Sequence, residues 1–273
     1  MKNLSSEDFE SLKSAHRSMG HISWAMKGLN KLGNVFETGI DKLPEKQQKW
    51  LHAVSQKVMH TVVKVNLKTM ETGKLNLKPS NSRYKALATS SGILGGTFGA
   101  AAFAADLTIT TKLMMRSIMD IARSEGEALS SYDTQLACLQ VLALGGKSKD
   151  DDGLDTSYYA TRVALSATMK NASAYAVKHG MGQAINGAMV ASSNPLVKLL
   201  GAIATRFSIQ VSEKFVAQAI PILGAAGGGA INLAFMNHFQ SMATAHFTIR
   251  RLERKYGEDI VRLAYQNLST AKS

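Results

Sequence analysis

Apolar residues recur at three- and four-residue spacing along most of this chain, and that rhythm predicts helices rather than strands. Ser5 or Ser6 caps the first helix, with Glu7, Asp8 and Glu10 near its positive end. Helical character continues with interruptions toward Asn34, anchored by Trp24, and 33–40 is a break. Pro44 opens the next helix at its first turn. Its apolar stripe is Trp50, Val54, Val58, Met59, Val62, Val63 and Leu67, with Lys57, Lys64 and Lys68 on the polar side. Residues 72–82, with Gly73 and Pro79, read as a linker.

Two Gly/Ala-rich apolar stretches then stand out. The first is 86–105, ALATSSGILGGTFGAAAFAA, followed at once by Asp106. The second is 215–236, FVAQAIPILGAAGGGAINLAFM, with Asn232 near its end. Glycine weakens a helix, so such clusters mark turns or close packing. Gly95 and Gly99, and likewise Gly224 and Gly228, are spaced four apart, which allows two helices to approach closely.

From Asp106 a helical rhythm runs through Leu107, Thr110, Leu113, Met114, Ser117, Ile118 and Ile121 to a stop at Gly126. Further helices are predicted over 132–144, 157–179, 196–215, 230–256 and 258–268. The segment 145–156, GGKSKDDDGLDT, is the clearest exposed loop. The fold class is therefore all-α: an irregular multi-helix bundle around two Gly/Ala-rich central segments. It reads as a single helical domain over 1–273, with a subdivision near 145–156 as the alternative.

Composition narrows the function classes. The formal net charge is +12, which suits an anionic membrane surface, an acidic partner or nucleic acid. No helix-turn-helix or zinc-finger spacing and no aromatic array supports nucleic acid. Cys138 is the only cysteine, so no intramolecular disulfide forms, and its apolar surroundings read as packing. The opening MKNLSSEDFESLK lacks the apolar core of a signal peptide. About 20 apolar residues span a bilayer, but the first stretch is mostly Ala, Gly, Ser and Thr and the second carries Gln218 and Asn232, so neither favours a span. Buried helices or shallow membrane contact are the economical reading.

The candidate chemistry is sparse. Asp106 either caps the helix beginning at Leu107 or forms a central polar site with Asn232. Asn232 has the same choice between a structural amide and that site. His16, His21, His52, His60, His179, His238 and His246 are dispersed, and no metal or cofactor is implied. There is no GxSxG, no HExxH and no P-loop ending after GGTFGAAA. The acidic run Asp150–Asp152 lacks calcium-loop spacing. Arg250, Arg251, Arg254 and Lys255 form a basic end to a long apolar helix, a candidate surface for anionic lipid or a partner.

The chain resembles the EcsC family, bacterial proteins named after a component encoded beside an ABC transporter. The first matching block is 92–126, carried by Asp106, Arg116, Ile121, Ala122 and Gly126, with Glu125 where the family has Tyr. The second is 219–252, carried by Pro221, Gly224, Gly228, Gly229, Asn232, Ala245, Phe247 and Arg251. The resemblance covers about 57–257. It implies a bacterial protein with a membrane- or secretion-related role and transfers no reaction to named residues. The expectation is a non-enzymatic, membrane-proximal interaction protein, cytoplasmic or peripheral on the inner face of the membrane. Its partner would be an anionic membrane surface or a membrane protein. The alternatives are a hydrolase or metal-dependent enzyme with a pocket near Asp106 and Asn232, or a secreted toxin whose hairpins insert.

Overall fold

The computed structural model describes residues 4–19, 43–67, 79–95, 99–145, 157–181, 183, 193–219 and 221–270. Among them are nine α-helices and one short 3-10 turn, and no strand. They are α1 (Ser6–Ser18), α2 (Glu45–Leu67), α3 (Asn81–Gly95), α4 (Gly99–Ser124), α5 (Tyr132–Gln140), α6 (Ser157–His179), α7 (Pro195–Ala219), α8 (Pro221–Tyr256) and α9 (Glu258–Thr270). The 3-10 turn, Val141–Ala143, follows α5 directly.

Local chemistry sets several boundaries. The Asp8 amide donates to Ser5 Oγ at 3.2 Å, so Ser5 is the cap of α1. The carbonyl of Pro44 accepts from the amides of Gln47 and Gln48 and starts α2. Gly257, at φ +97°, ends α8 in the left-handed conformation that only glycine adopts cheaply. The expected anchor Trp24, the 33–40 break and most of the 72–82 linker lie outside the described residues. So does the 146–156 loop on which a subdivision would turn.

α8 is the axis of the bundle. Its 36 residues extend about 54 Å, and α1, α3, α4, α7 and α9 all pack on it. α7 in turn carries α2 and α6, and α4 lies against both α2 and α3. One buried apolar cluster runs from Leu12 on α1 to Tyr265 on α9. Its aromatic centre is Phe207, Phe235 and Phe239, with Phe235 and Phe239 edge to face at 5.1 Å. Trp50, Phe103 and Phe215 form a second aromatic group joining α2, α4 and α7, with Phe215 edge-on to the other two.

Two element boundaries differ from the sequence expectation. α4 starts at Gly99, not after Asp106, so the Ala-rich run 100–105 is its first two turns. α8 starts at Pro221 and runs without a break through its glycines. The 3-10 segment is strapped down by Gln210, which donates to the Leu144 carbonyl at 2.6 Å. Gly145 then passes over His238 so closely that a Cβ there would lie 2.6 Å from His238 Cε1.

Candidate functional site

The sequence-predicted pair Asp106 and Asn232 meets at the centre of the bundle. Asp106 is eight residues into α4, so its carboxylate cannot cap that helix; the capping expectation is corrected. The helical period instead turns it inward beside Leu107 and Thr110. Asn232, on α8, donates from Nδ2 to Asp106 Oδ1 at 2.8 Å and to the Ala88 carbonyl of α3 at 3.0 Å. The hydroxyls of Ser91 and Thr110 each lie 3.4 Å from the same carboxylate oxygen.

The charge partner is Lys214 of α7, whose Nζ is 2.7 Å from Asp106 Oδ2. It also sits 5.2 Å above the Phe235 ring, where the ring face attracts a cation. Four helices, α3, α4, α7 and α8, are thus joined at one ion pair. Asp106 is 3% exposed, while Lys214 and Asn232 are 0% exposed. Burial pushes the Asp106 carboxyl up, but the Lys214 charge and the bonds from Lys214 and Asn232 outweigh it and hold it below its ordinary value. Burial lowers the Lys214 ammonium against the pull of Asp106.

Sequence reasoning misses Lys214, although its signal is present. Leu196, Leu199, Ile203, Phe207 and Val211 form the inward stripe of α7, and Lys214 occupies the next position of that stripe. A second polar link lies further along the same helices. Gln240 of α8 donates to Ser117 Oγ of α4 at 2.9 Å, and Ser117 donates to Asn81 Oδ1 of α3 at 3.0 Å.

The family model of the EcsC protein family matches residues 6–252, nearly the whole chain. This chain belongs to the EcsC protein family. No curated protein and no solved structure matched it. The match begins well before residue 57, where the resemblance read from sequence starts, and takes in α1. Asp106 and Asn232, each carrying one of the two EcsC-like blocks, are the two residues that touch at the centre. Glu125 of the first block pairs with Arg251 of the second at 2.8 Å.

That pairing belongs to a second site at the basic end of α8, where Arg254 and Lys255 are exposed and also paired with carboxylates of the chain. Arg250 Nε is 2.8 Å from Glu127 Oε1, and its Nη2 is 3.1 Å from Asp133. Arg254 also pairs with Glu127 and donates to the Glu125 carbonyl at 2.7 Å. Lys255 and Arg251 both reach Asp8, at 2.6 and 3.3 Å. The basic end of α8 therefore fastens α1 and the 125–133 turn to the bundle. Its acidic partners lie more than a hundred residues away in sequence, so no local pattern announces them.

The four glycines separate. Gly99 is exposed at φ +70°, where a turn favours glycine, and no atom of the described residues stands within 4 Å of where a Cβ would lie. Gly228 is buried within α8. Gly95 ends α3 and Gly224 lies in the first turn of α8; their surroundings fall outside the described side chains. Cys138 is fully buried, which raises its thiol pKa and leaves it a packing residue. Among the described residues no three His, Cys, Asp or Glu side chains converge as a metal site requires. A surface groove lined by Asp133, Met169, Lys170 and Val177 shares no residue with the Asp106 centre.

A third cluster holds His246. Its Nδ1 lies 3.0 Å from the Tyr158 hydroxyl, beside the Arg162–Glu253 pair at 2.5 Å. Burial first, then the charges of Arg250 and Arg162, hold its pKa well below the usual histidine value. Asp8 is also lowered, mainly by the Lys255 hydrogen bond; Glu127 is lowered because its arginine partners outweigh burial. In each case the unfolded chain takes up a proton more readily than the folded one, so stability falls as pH falls. His246 acts first, below about pH 6.5, and the carboxylates follow below about pH 4.3. Melting followed by circular dichroism should show a two-stage loss, with His246→Phe removing the upper stage. A melting temperature unchanged from pH 7.5 to 5 would contradict the His246 assignment.

Proposed function

We propose that this EcsC-family protein is a non-enzymatic, membrane-proximal interaction protein. Its Asp106–Lys214–Asn232 centre acts as an internal lock, and its work is done on the surface. The observation that carries this reading is the closure of the centre: Lys214 and Asn232 are 0% exposed, and Asp106 is 3% exposed. A catalytic acid or base must come within hydrogen-bond reach of a substrate proton. Here the carboxylate is spent on an ammonium, an amide and two hydroxyls of its own chain.

A buried ion pair is a poor source of stability, since desolvating two charges offsets most of their attraction. Its use is specificity: only one register of α3, α4, α7 and α8 satisfies all the partners. The chain as a whole, in contrast, carries a formal net charge of +12. No helix among the described residues is long and apolar enough to cross a membrane. On this reading the protein sits beside an anionic membrane, in the cytoplasm or on its inner face, where the partner is the lipid surface or a membrane protein.

Vesicle co-sedimentation tests this. The protein is expected to pellet with vesicles of phosphatidylcholine plus phosphatidylglycerol and to be released by salt, because screening shortens the electrostatic reach. Equal recovery with pure phosphatidylcholine, or no binding to either at low salt, would contradict it.

A further inference from the structure

The cations at the basic end of α8 are each paired with a carboxylate of the chain, which offsets much of their charge, so cations without such a partner are the stronger candidates for a lipid-facing surface. We infer that the outer face of the α3–α4 hairpin, with Arg83, Leu87, Ile109, Lys112 and Arg116, is the surface that docks on anionic lipid headgroups. This rests on the membrane-proximal reading above and names its contact face.

The hairpin register is set by two side-chain contacts. Asn81 meets Ser117 at 3.0 Å, and Ser91 meets Asp106 at 3.4 Å. The two helices therefore run antiparallel. In that register Arg83 stands level with Arg116, and Leu87 stands between the levels of Ile109 and Lys112. Both helices pack on α8, so their exposed residues face away from it.

On α3 the exposed positions include Ser82, Arg83, Ala86 and Leu87. On α4 they include Ala105, Ile109 and Arg116, with Lys112 half-buried between them at helical spacing. Leu87 is 48% and Ile109 47% exposed, both large apolar side chains left in water. Among the described residues Arg83, Lys112 and Arg116 enter no ion pair. Asp120, one turn beyond Arg116 on α4, is taken by Arg123 at 2.5 Å and Tyr84 at 3.1 Å.

Cations flanking an exposed leucine and isoleucine match an anionic bilayer surface, where headgroups meet the charges and the aliphatic side chains enter the acyl boundary. A duplex or single strand would need groove-reading or stacking side chains, and this face has neither. A soluble acidic protein would match the cations but would leave the two aliphatic side chains without an acyl layer to enter.

The test is co-sedimentation of the full chain with phosphatidylcholine vesicles, with and without phosphatidylglycerol. Arg83→Gln/Lys112→Gln/Arg116→Gln should weaken partition by about a hundredfold, from roughly one kcal/mol per basic residue. A control triple, Lys170→Gln/Lys178→Gln/Lys198→Gln, changes the net charge equally at exposed positions on α6 and α7. It should bind nearly as the wild type does. Leu87→Ser/Ile109→Ser, which leaves the charge untouched, should make the remaining binding more sensitive to salt. Circular dichroism checks that each variant is folded, and Lys112→Gln alone replaces the triple if the triple is not. If both triples lose binding equally, or the hairpin triple binds like the wild type, this face is overturned while the membrane reading stands. If the wild type itself ignores phosphatidylglycerol, the membrane reading fails and this inference falls with it.

Discussion

Lys214→Ala is expected to cost about 3–5 kcal/mol of folding stability, the usual penalty for leaving a buried charge without its partner. The carboxylate of Asp106 would keep its amide and hydroxyl donors but lose its counter-ion in a place where no solvent can replace it. Domains of this kind have about 5–15 kcal/mol in total, so the variant should unfold at much lower denaturant. Removing both charges is a different matter. Asp106→Asn keeps the oxygen that accepts from Asn232, and Lys214→Met keeps an unbranched chain against Phe235. The double variant should recover most of the loss, because well-packed neutral replacements of buried pairs are often close to neutral. Urea denaturation of the two single variants and the double one measures this. If the double variant is as unstable as the sum of the singles, the two side chains are not coupled and the lock does not exist.

Glu127→Ala carries the second large effect, about 3 kcal/mol. Glu127 is buried and receives Arg250, Arg254 and the Thr134 hydroxyl, which donates at 2.9 Å. Its loss leaves Arg250, whose side chain is 19% exposed, with only the outlying Asp133. Glu127→Gln should cost less, since the amide oxygen still accepts a bond. Arg254→Ala, at a side chain 43% exposed, should cost no more than about 1 kcal/mol. Asp106 and Ser124 are separated by about 27 Å of helix, so the Lys214 and Glu127 effects should add within about 0.5 kcal/mol. Thermal or urea melts of Glu127→Ala that match the wild type would show that the acid–base seam holds nothing together.

These two sites are unequally legible in the sequence. Asp106 and Asn232 can be picked out because each is a lone polar residue within an apolar stretch, and a buried polar group needs a partner. Their third member is hidden: Lys214 looks like the last charge before a long uncharged run, and only the stripe of α7 turns it inward. The misreading of Asp106 as a cap has a specific cause. Four glycines upstream suggest a break, but the helix resumes directly at Gly99, whose φ is +70°, and 100–105 are helical ahead of Asp106. The helices themselves are clear because their stripes are regular. The role of Arg250, Arg251, Arg254 and Lys255 is not, since helix periodicity shows which face a side chain occupies but not what stands opposite. Asp8, Glu125 and Glu127 come from elements that only the fold brings there.

If the Asp106 centre holds the bundle in register while the surface does the work, the centre can be neutralised without loss of binding. The most direct measurement is anionic-vesicle co-sedimentation of the Asp106→Asn/Lys214→Met double variant, with its helical signal verified by circular dichroism. The expected result is a folded protein that partitions onto phosphatidylglycerol-containing vesicles as the wild type does. A folded double variant that no longer binds would contradict it, because the buried centre would then take part in function and not only in structure.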